Sequence, residues 1–409
     1  MSGLTASVIP SNMPPSTANE RDAQGRIPSL DGFRGVACLM IVAYHFGPMI
    51  AKVGGPFGFL RSLDSLLLSG VDLFFVLSGF LIGGILMDTR QSPRYFSVFY
   101  VRRATRLLPL YYLTLTSYAV CRWLFSDSAL VSGRLFHPSI PLWPYLLHLQ
   151  NFAMAVFHTG GPGWLAATWS LAVEEQFYLL ISILTRAISP QSLWNVCWVA
   201  WGLSLLFRMA NFQYHWIYSV GSLVLLPMRF DALAMGIIVA YAIRYEFEFL
   251  KRWRNWWAML TLGFAQVWLF TCTHFFPWRW LCPSFQSVFF GLTLLCLVLF
   301  SKSRLSKCFS FDGLRAIGKM SYSIYLLHPI ILFLVFRVYN GADASLDSAR
   351  DLVPLSTALV LVWVAGICSW NLVEKPFLRF GRHFQYSEVL TRKTFDCIRL
   401  SAIKSGLSS

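Results

Sequence analysis

Apolar residues in this chain do not alternate with polar ones; they continue for some twenty positions at a time, and short stretches of Arg, Gly and Pro separate one run from the next. A run of about 20 apolar residues is the length a helix needs to cross a bilayer. Barrel strands would instead show short alternating segments. The runs predict spanning helices near residues 35–50 and 66–87, a third ending near 125 and a fourth opening at 169. Further runs follow near 193–210, 226–243, 256–274, 283–300, 317–336 and 353–372. The expected fold is therefore all-α, a polytopic membrane helical bundle of about ten transmembrane helices. The stretch between the third and fourth runs, with His137, His148, His158, several prolines and Trp143 and Trp164, reads as an interfacial or re-entrant segment.

Composition supports this reading. The chain has 409 residues, 56% of them hydrophobic and only 13% charged, so no separate soluble domain is expected. Residues 1–26, rich in Ser, Pro and Ala, read as a disordered tail without the pattern of a cleavable signal. Residues 27–380 read as one membrane domain and 381–409 as a short basic tail. The net charge of +15 would suggest nucleic acid in a soluble protein. Here loop asymmetry accounts for it: with an even number of spans, about 25 of the Lys and Arg residues share the side of both termini and about 9 lie opposite. Both termini are thus expected in the cytoplasm, and no nucleic acid partner is. Nine cysteines are scattered without a CxxC pair or a Cys/His ligand spacing, so no metal is expected.

Candidate chemistry appears where polar groups interrupt the apolar runs. Arg34 and His45 in the first run are eleven positions apart, close to three helical turns, which puts both on one face roughly 16 Å apart along the axis. Ionisable groups inside a span point to a functional site. Asp72 opens the second run, and antiparallel packing would set it beside the far half of the first, where it could hold the His45 imidazole as a base or merely cap its helix. Arg103 and Arg106 share a helix face at the edge of the third run, a geometry suited to phosphates such as those of coenzyme A. Ser170, Glu174 and Tyr178 stack at i, i+4 and i+8 on the fourth, with Glu174 the residue hardest to explain as packing. Arg229 and Asp231 read as an internal ion pair or a substrate contact, the structural reading being preferred. His328 is a second intramembrane histidine, followed by Pro329, which either kinks its helix or opens it to a cavity.

In this order the motifs resemble the acyltransferase 3 family of integral membrane acyltransferases: Arg34 and His45, the run from Asp72 to Phe80, Arg103/Arg106, Ser170-Glu174-Tyr178, and Tyr322-Ser-Ile-Tyr-Leu-Leu-His328. The resemblance spans residues 27–380. It implies transfer of an acyl group, commonly acetyl from acetyl-CoA, to a hydroxyl of a carbohydrate acceptor in the lipid bilayer of a bacterial inner membrane. On this reading Arg34, Arg103 and Arg106 hold the acyl-CoA co-substrate. His45, Asp72 and Glu174 are catalytic, and Ser170, Tyr178 and His328 contact the acceptor. Some relatives carry a hydrolase-like domain after the last span; after Phe380 only a short tail is expected here. Acylation of a small metabolite such as a macrolide sugar would use the same machinery, and a transporter with an intramembrane proton relay is the rival from another class.

Overall fold

The computed structural model describes residues 27–125, 133–137, 139–215, 217, 219–273 and 281–386. Both expected tails lie outside this range, apart from the first few residues of the second. Ten long helices form the body of the described chain. They are α1 (Pro28–Phe46), α2 (Gly70–Thr89), α3 (Tyr95–Leu124), α4 (Trp169–Ala187) and α5 (Pro190–Tyr214). After them come α6 (Leu226–Tyr245), α7 (Arg254–Thr273), α8 (Cys282–Leu299), α9 (Asp312–Asn340) and α10 (Leu352–Ser369). Among the described residues, β structure amounts to one isolated bridge between Ala51 and Leu346.

Among the described residues, six segments are long and apolar enough to cross a membrane: Gly58–Thr89, Pro190–Tyr214, Val220–Tyr245, Cys282–Leu299, Asp312–Asn340 and Ala349–Gly381. The chain is thus a multi-pass membrane protein. Helices α1, α3, α4 and α7 were expected to span as well but fall outside this set. The first three are the helices that carry Arg34 and His45, Arg103 and Arg106, and Glu174 and Glu175. Their polar side chains lower the hydropathy of the run while building the interior described below.

Local chemistry sets the helix ends. Pro28 and Pro190 sit in the first turns of α1 and α5, where no N–H is needed. Ser189 caps α5 by accepting the Ser192 N–H at 3.0 Å. Gly341 ends α9 in the left-handed region at φ 65°, which costs glycine little. The predicted interfacial stretch forms two short helices, Trp143–Leu146 and Gln150–Val156, pinned to α3 where the Tyr111 hydroxyl donates to the Tyr145 carbonyl at 2.7 Å.

Two helix pairs make the closest approaches. In α1 against α9, a Cβ on Gly35 would collide with the Leu314 carbonyl and one on Gly318 with the Asp31 carbonyl, while one on Gly32 would strike the Phe309 carbonyl just before α9. In α2 against α6, Gly79 meets the Leu233 carbonyl and Gly236 the Val76 carbonyl in the same way. Small residues that let backbones touch are the usual basis of helix packing in lipid, where burial of apolar surface gives little drive. These two seams fix which side chains can meet inside the bundle.

Candidate functional site

Two cavities lie within the bundle and share no lining residue. The first, about 220 Å³, sits toward the Pro28 end of α1 and is lined by Arg34, Arg103, Arg106, Glu174 and Tyr178. Five residues expected from three separate runs thus face one space. Among the described residues neither Arg103 nor Arg106 has an ion-pair partner, so their guanidinium donors face the cavity. Glu174 is the carboxylate on which Arg106, Arg34 and Arg103 act together. The Tyr178 hydroxyl donates to Glu174 Oε2 at 3.1 Å, which leaves Ser78 as donor in its 2.7 Å bond to Tyr178. This line of hydroxyls fixes the carboxylate on the i, i+4 stripe read from the sequence.

Ser170 and Tyr325 form the inner end of that cavity, joined by a 2.6 Å hydrogen bond between hydroxyls. Beyond them His328 is fully buried, and beyond His328 is His45, which lines the second cavity of about 210 Å³. Helix α9 shows the order directly: Lys319, Tyr322 and Tyr325 face the first cavity, while Pro329 and Phe333 face the second. From Tyr325 to Pro329 the helix rises about 6 Å. Only one layer of side chains separates the two spaces. Arg34 and His45, expected on one face, therefore serve different cavities, Arg34 the first and His45 the second.

His45 and His328 meet across the α1–α9 seam, with Nε2 of His328 3.1 Å from Nδ1 of His45. Each Nδ1 also faces a carbonyl of its own helix, Ile41 at 2.9 Å for His45 and Ile324 at 3.0 Å for His328. A carbonyl only accepts, so both rings carry their proton on Nδ1. The one Nδ1 proton of His45 is then shared between the Ile41 carbonyl and Nε2 of His328, and the lone pair of His45 is left on its own Nε2. Pro329 contributes here because it lacks the N–H that would engage the Tyr325 carbonyl, and the His328 ring interacts with that carbonyl too.

Asp72 does not take the place expected for it beside His45. Its carboxylate receives Arg229 Nη1 at 2.9 Å, and both groups are buried. The antiparallel argument placed Asp72 near α1 but left out α6, which packs more closely on α2 and brings the cation. Asp231, two residues after Arg229 on α6, pairs at 2.6 Å with Arg208 of α5, with Ser284 donating to the same oxygen at 2.9 Å. The structural reading of Arg229 and Asp231 holds. Arg229 also lies 5.9 Å from the Trp169 ring centroid, so this pair braces the residue just before Ser170.

Glu374 is a cavity residue that the sequence reading passed over. It sits on a π-helical turn, Trp370–Glu374, is buried, and receives the Ser323 hydroxyl while lining the first cavity. Such turns favour functional sites. The signal was available only as a carboxylate just beyond an apolar run; its cavity-facing aim depends on the turn. Tyr325 was likewise quoted in a motif without being assigned to the site. Arg134, in the loop after α3, lines the second cavity.

A model of an acyltransferase domain matches residues 27–373, nearly the whole described body and almost the extent of the resemblance. The chain is similar to the peptidoglycan O-acetyltransferase OatA of Listeria monocytogenes, 29% identical over 87% of this chain and 56% of that protein. It is also similar to a candidate O-acetyltransferase of Staphylococcus aureus, 25% identical over 87% of this chain and 58% of that protein. A candidate peptidoglycan O-acetyltransferase of Bacillus subtilis is 36% identical over 38% of this chain and 23% of that one. The chain spans little more than half the length of the first two relatives. No solved structure matches. With a matched domain over most of its length and the family's motifs gathered around two adjoining cavities, the chain belongs to the acyltransferase 3 family.

Proposed function

We propose that this protein transfers an acetyl group from acetyl-CoA to a hydroxyl of a cell-envelope polysaccharide, with peptidoglycan-type glycan as the first acceptor to test. The observation that carries the reading is the arrangement of the two cavities: cations and a carboxylate in one, a paired imidazole in the other, one layer of side chains apart. Arg34, Arg103 and Arg106 suit the phosphates of acyl-CoA, since guanidinium binds them through paired donors. The charge asymmetry supports a cytoplasmic position for this end of the bundle, where acyl-CoA is made, with the other end facing out of a bacterial cell membrane.

In this scheme His45 acts as the base. Its Nε2 takes the proton of the acceptor hydroxyl, and the neighbouring His328 holds the tautomer that leaves Nε2 free, the role the sequence suggested for Asp72. The thioester passes Ser170 and Tyr325 at the inner end of the first cavity to reach the acceptor oxygen, whose attack on the carbonyl carbon breaks the C–S bond. The CoA thiolate leaves through the first cavity and takes up the proton that His45 gives back. Glu174, buried among arginines, holds the donor cavity's charge balance and orders Tyr178. The acceptor waits in the second cavity.

The test is transfer of radiolabelled acetyl from acetyl-CoA to envelope glycans in membranes containing the protein, with a His45→Ala variant expressed equally. Label that depends on His45 supports the reading. Equal label in both membranes removes His45 from the chemistry, and no label in either overturns the acetyl-transfer assignment.

A further inference from the structure

We infer that the second cavity selects an acceptor bearing an anionic group, a carboxylate or a phosphate, and that Arg134 is the residue that grips it. This rests on the acyl-transfer reading above and adds the class of acceptor. The ionisable residues that line the cavity are His45, Arg134 and His137, and no carboxylate is among them. The Arg134 guanidinium has no hydrogen-bond or ion-pair partner among the described residues, although it opens onto the same space as His45.

Its backbone, by contrast, is fastened at both ends. The Arg134 N–H donates to both oxygens of the Asp343 carboxylate at 3.2 Å, and its carbonyl accepts the Gly163 N–H at 3.0 Å. The Asp343 carboxylate also stands 3.7 Å from Arg337 of α9. Asp343 is thus engaged in holding the loop and in pairing with Arg337. A cation on an anchored backbone, left without an internal partner at the mouth of a site, is arranged to meet an anion from outside. Gly160 and Gly161 line the same cavity without side chains, and a Cβ on Gly160 would meet nothing within 4 Å. That leaves room for a sugar ring between the cation and the imidazole.

The experiment uses the full chain in membranes with labelled acetyl-CoA and three soluble acceptors. These are an N-acetylglucosaminide with a 3-O-lactyl carboxylate, its methyl ester, and N-acetylglucosamine 1-phosphate. The expected result is a kcat/KM at least about tenfold higher for one or both acidic acceptors than for the ester, a preference that Arg134→Gln abolishes and Arg134→Lys partly keeps. The two acidic probes show whether carboxylate or phosphate is read. Folding is checked by the KM for acetyl-CoA, set at the other cavity. Equal use of all three acceptors by the wild type, or a preference that survives in Arg134→Gln, overturns the inference while leaving acetyl transfer intact. Absence of transfer to added and endogenous glycans alike overturns the acyl-transfer reading and this inference with it.

Discussion

Asp72 and Glu174 look alike in the sequence and differ in the folded protein. Each is an acid near the start of an apolar helix, and each could be assigned to catalysis on that ground alone. In the structure Asp72 is consumed by Arg229 of a neighbouring helix, in a buried region between α2, α5, α6 and α8 where Arg208 and Asp231 make a second pair. Glu174 instead lines a cavity beside three arginines, with Tyr178 as its direct hydrogen-bond donor. The first region spends its charges on joining helices. The second keeps its charges facing open space, which is what a site that must meet a substrate requires.

That contrast can be broken in several ways. The largest effect is expected at Glu174→Gln, which should lower acetyl transfer about 10²- to 10⁴-fold, the range for a positioned ionisable group in a reaction centre. Its melting in detergent should stay near that of the wild type. Steady-state rates and a thermal melt on the same preparation check both halves.

The reverse is expected in the paired region. Arg229→Met leaves Asp72 buried without its cation and should cost about 3–5 kcal/mol of stability, whereas Asp72→Leu combined with Arg229→Met should recover most of it. Denaturant or thermal unfolding of the single and double variants reads this directly. If the double variant is as unstable as the single, Asp72 does more than hold a helix.

A smaller change is expected at the arginines. Alanine at both Arg103 and Arg106 should raise the KM for acetyl-CoA about tenfold or more through lost phosphate contacts. An unchanged KM would separate the donor from this cavity. Smallest of all is the exposed pair on the first turn of α9, where Arg315 reaches Asp312 at 2.9 Å with Asp312 open to solvent. Asp312→Ala should shift stability by no more than about 0.5 kcal/mol.

Much of this was legible before any coordinates. Uninterrupted apolar runs identify the helices because lipid forces every backbone group to bond within its own segment. Spacings within one helix also held, and Ser170, Glu174 and Tyr178 lie along the wall of a single cavity as their four-residue steps required. What failed was partnership across the bundle. Asp72 and Arg229 are 157 positions apart, and His45 and His328 are 283 apart. The His45 and His328 contact exists because Gly35 and Gly318 let α1 and α9 touch, and no local pattern announces that seam. Glu374 escaped notice for a related reason: an α-helical reading of its segment does not contain the π turn on which it sits.

The central claim is that donor and acceptor occupy opposite ends of the bundle with His45 serving the acceptor. Inverted membrane vesicles, with the cytoplasmic face outward, test it most directly. Labelled acetyl-CoA is added outside, and the label on glycan is then challenged with an external glycan hydrolase that cannot enter. The account predicts acetylated glycan inside the vesicles, resistant to the hydrolase and absent with His45→Ala. Label confined to hydrolase-sensitive glycan on the outer face, or formed equally without His45, would contradict it.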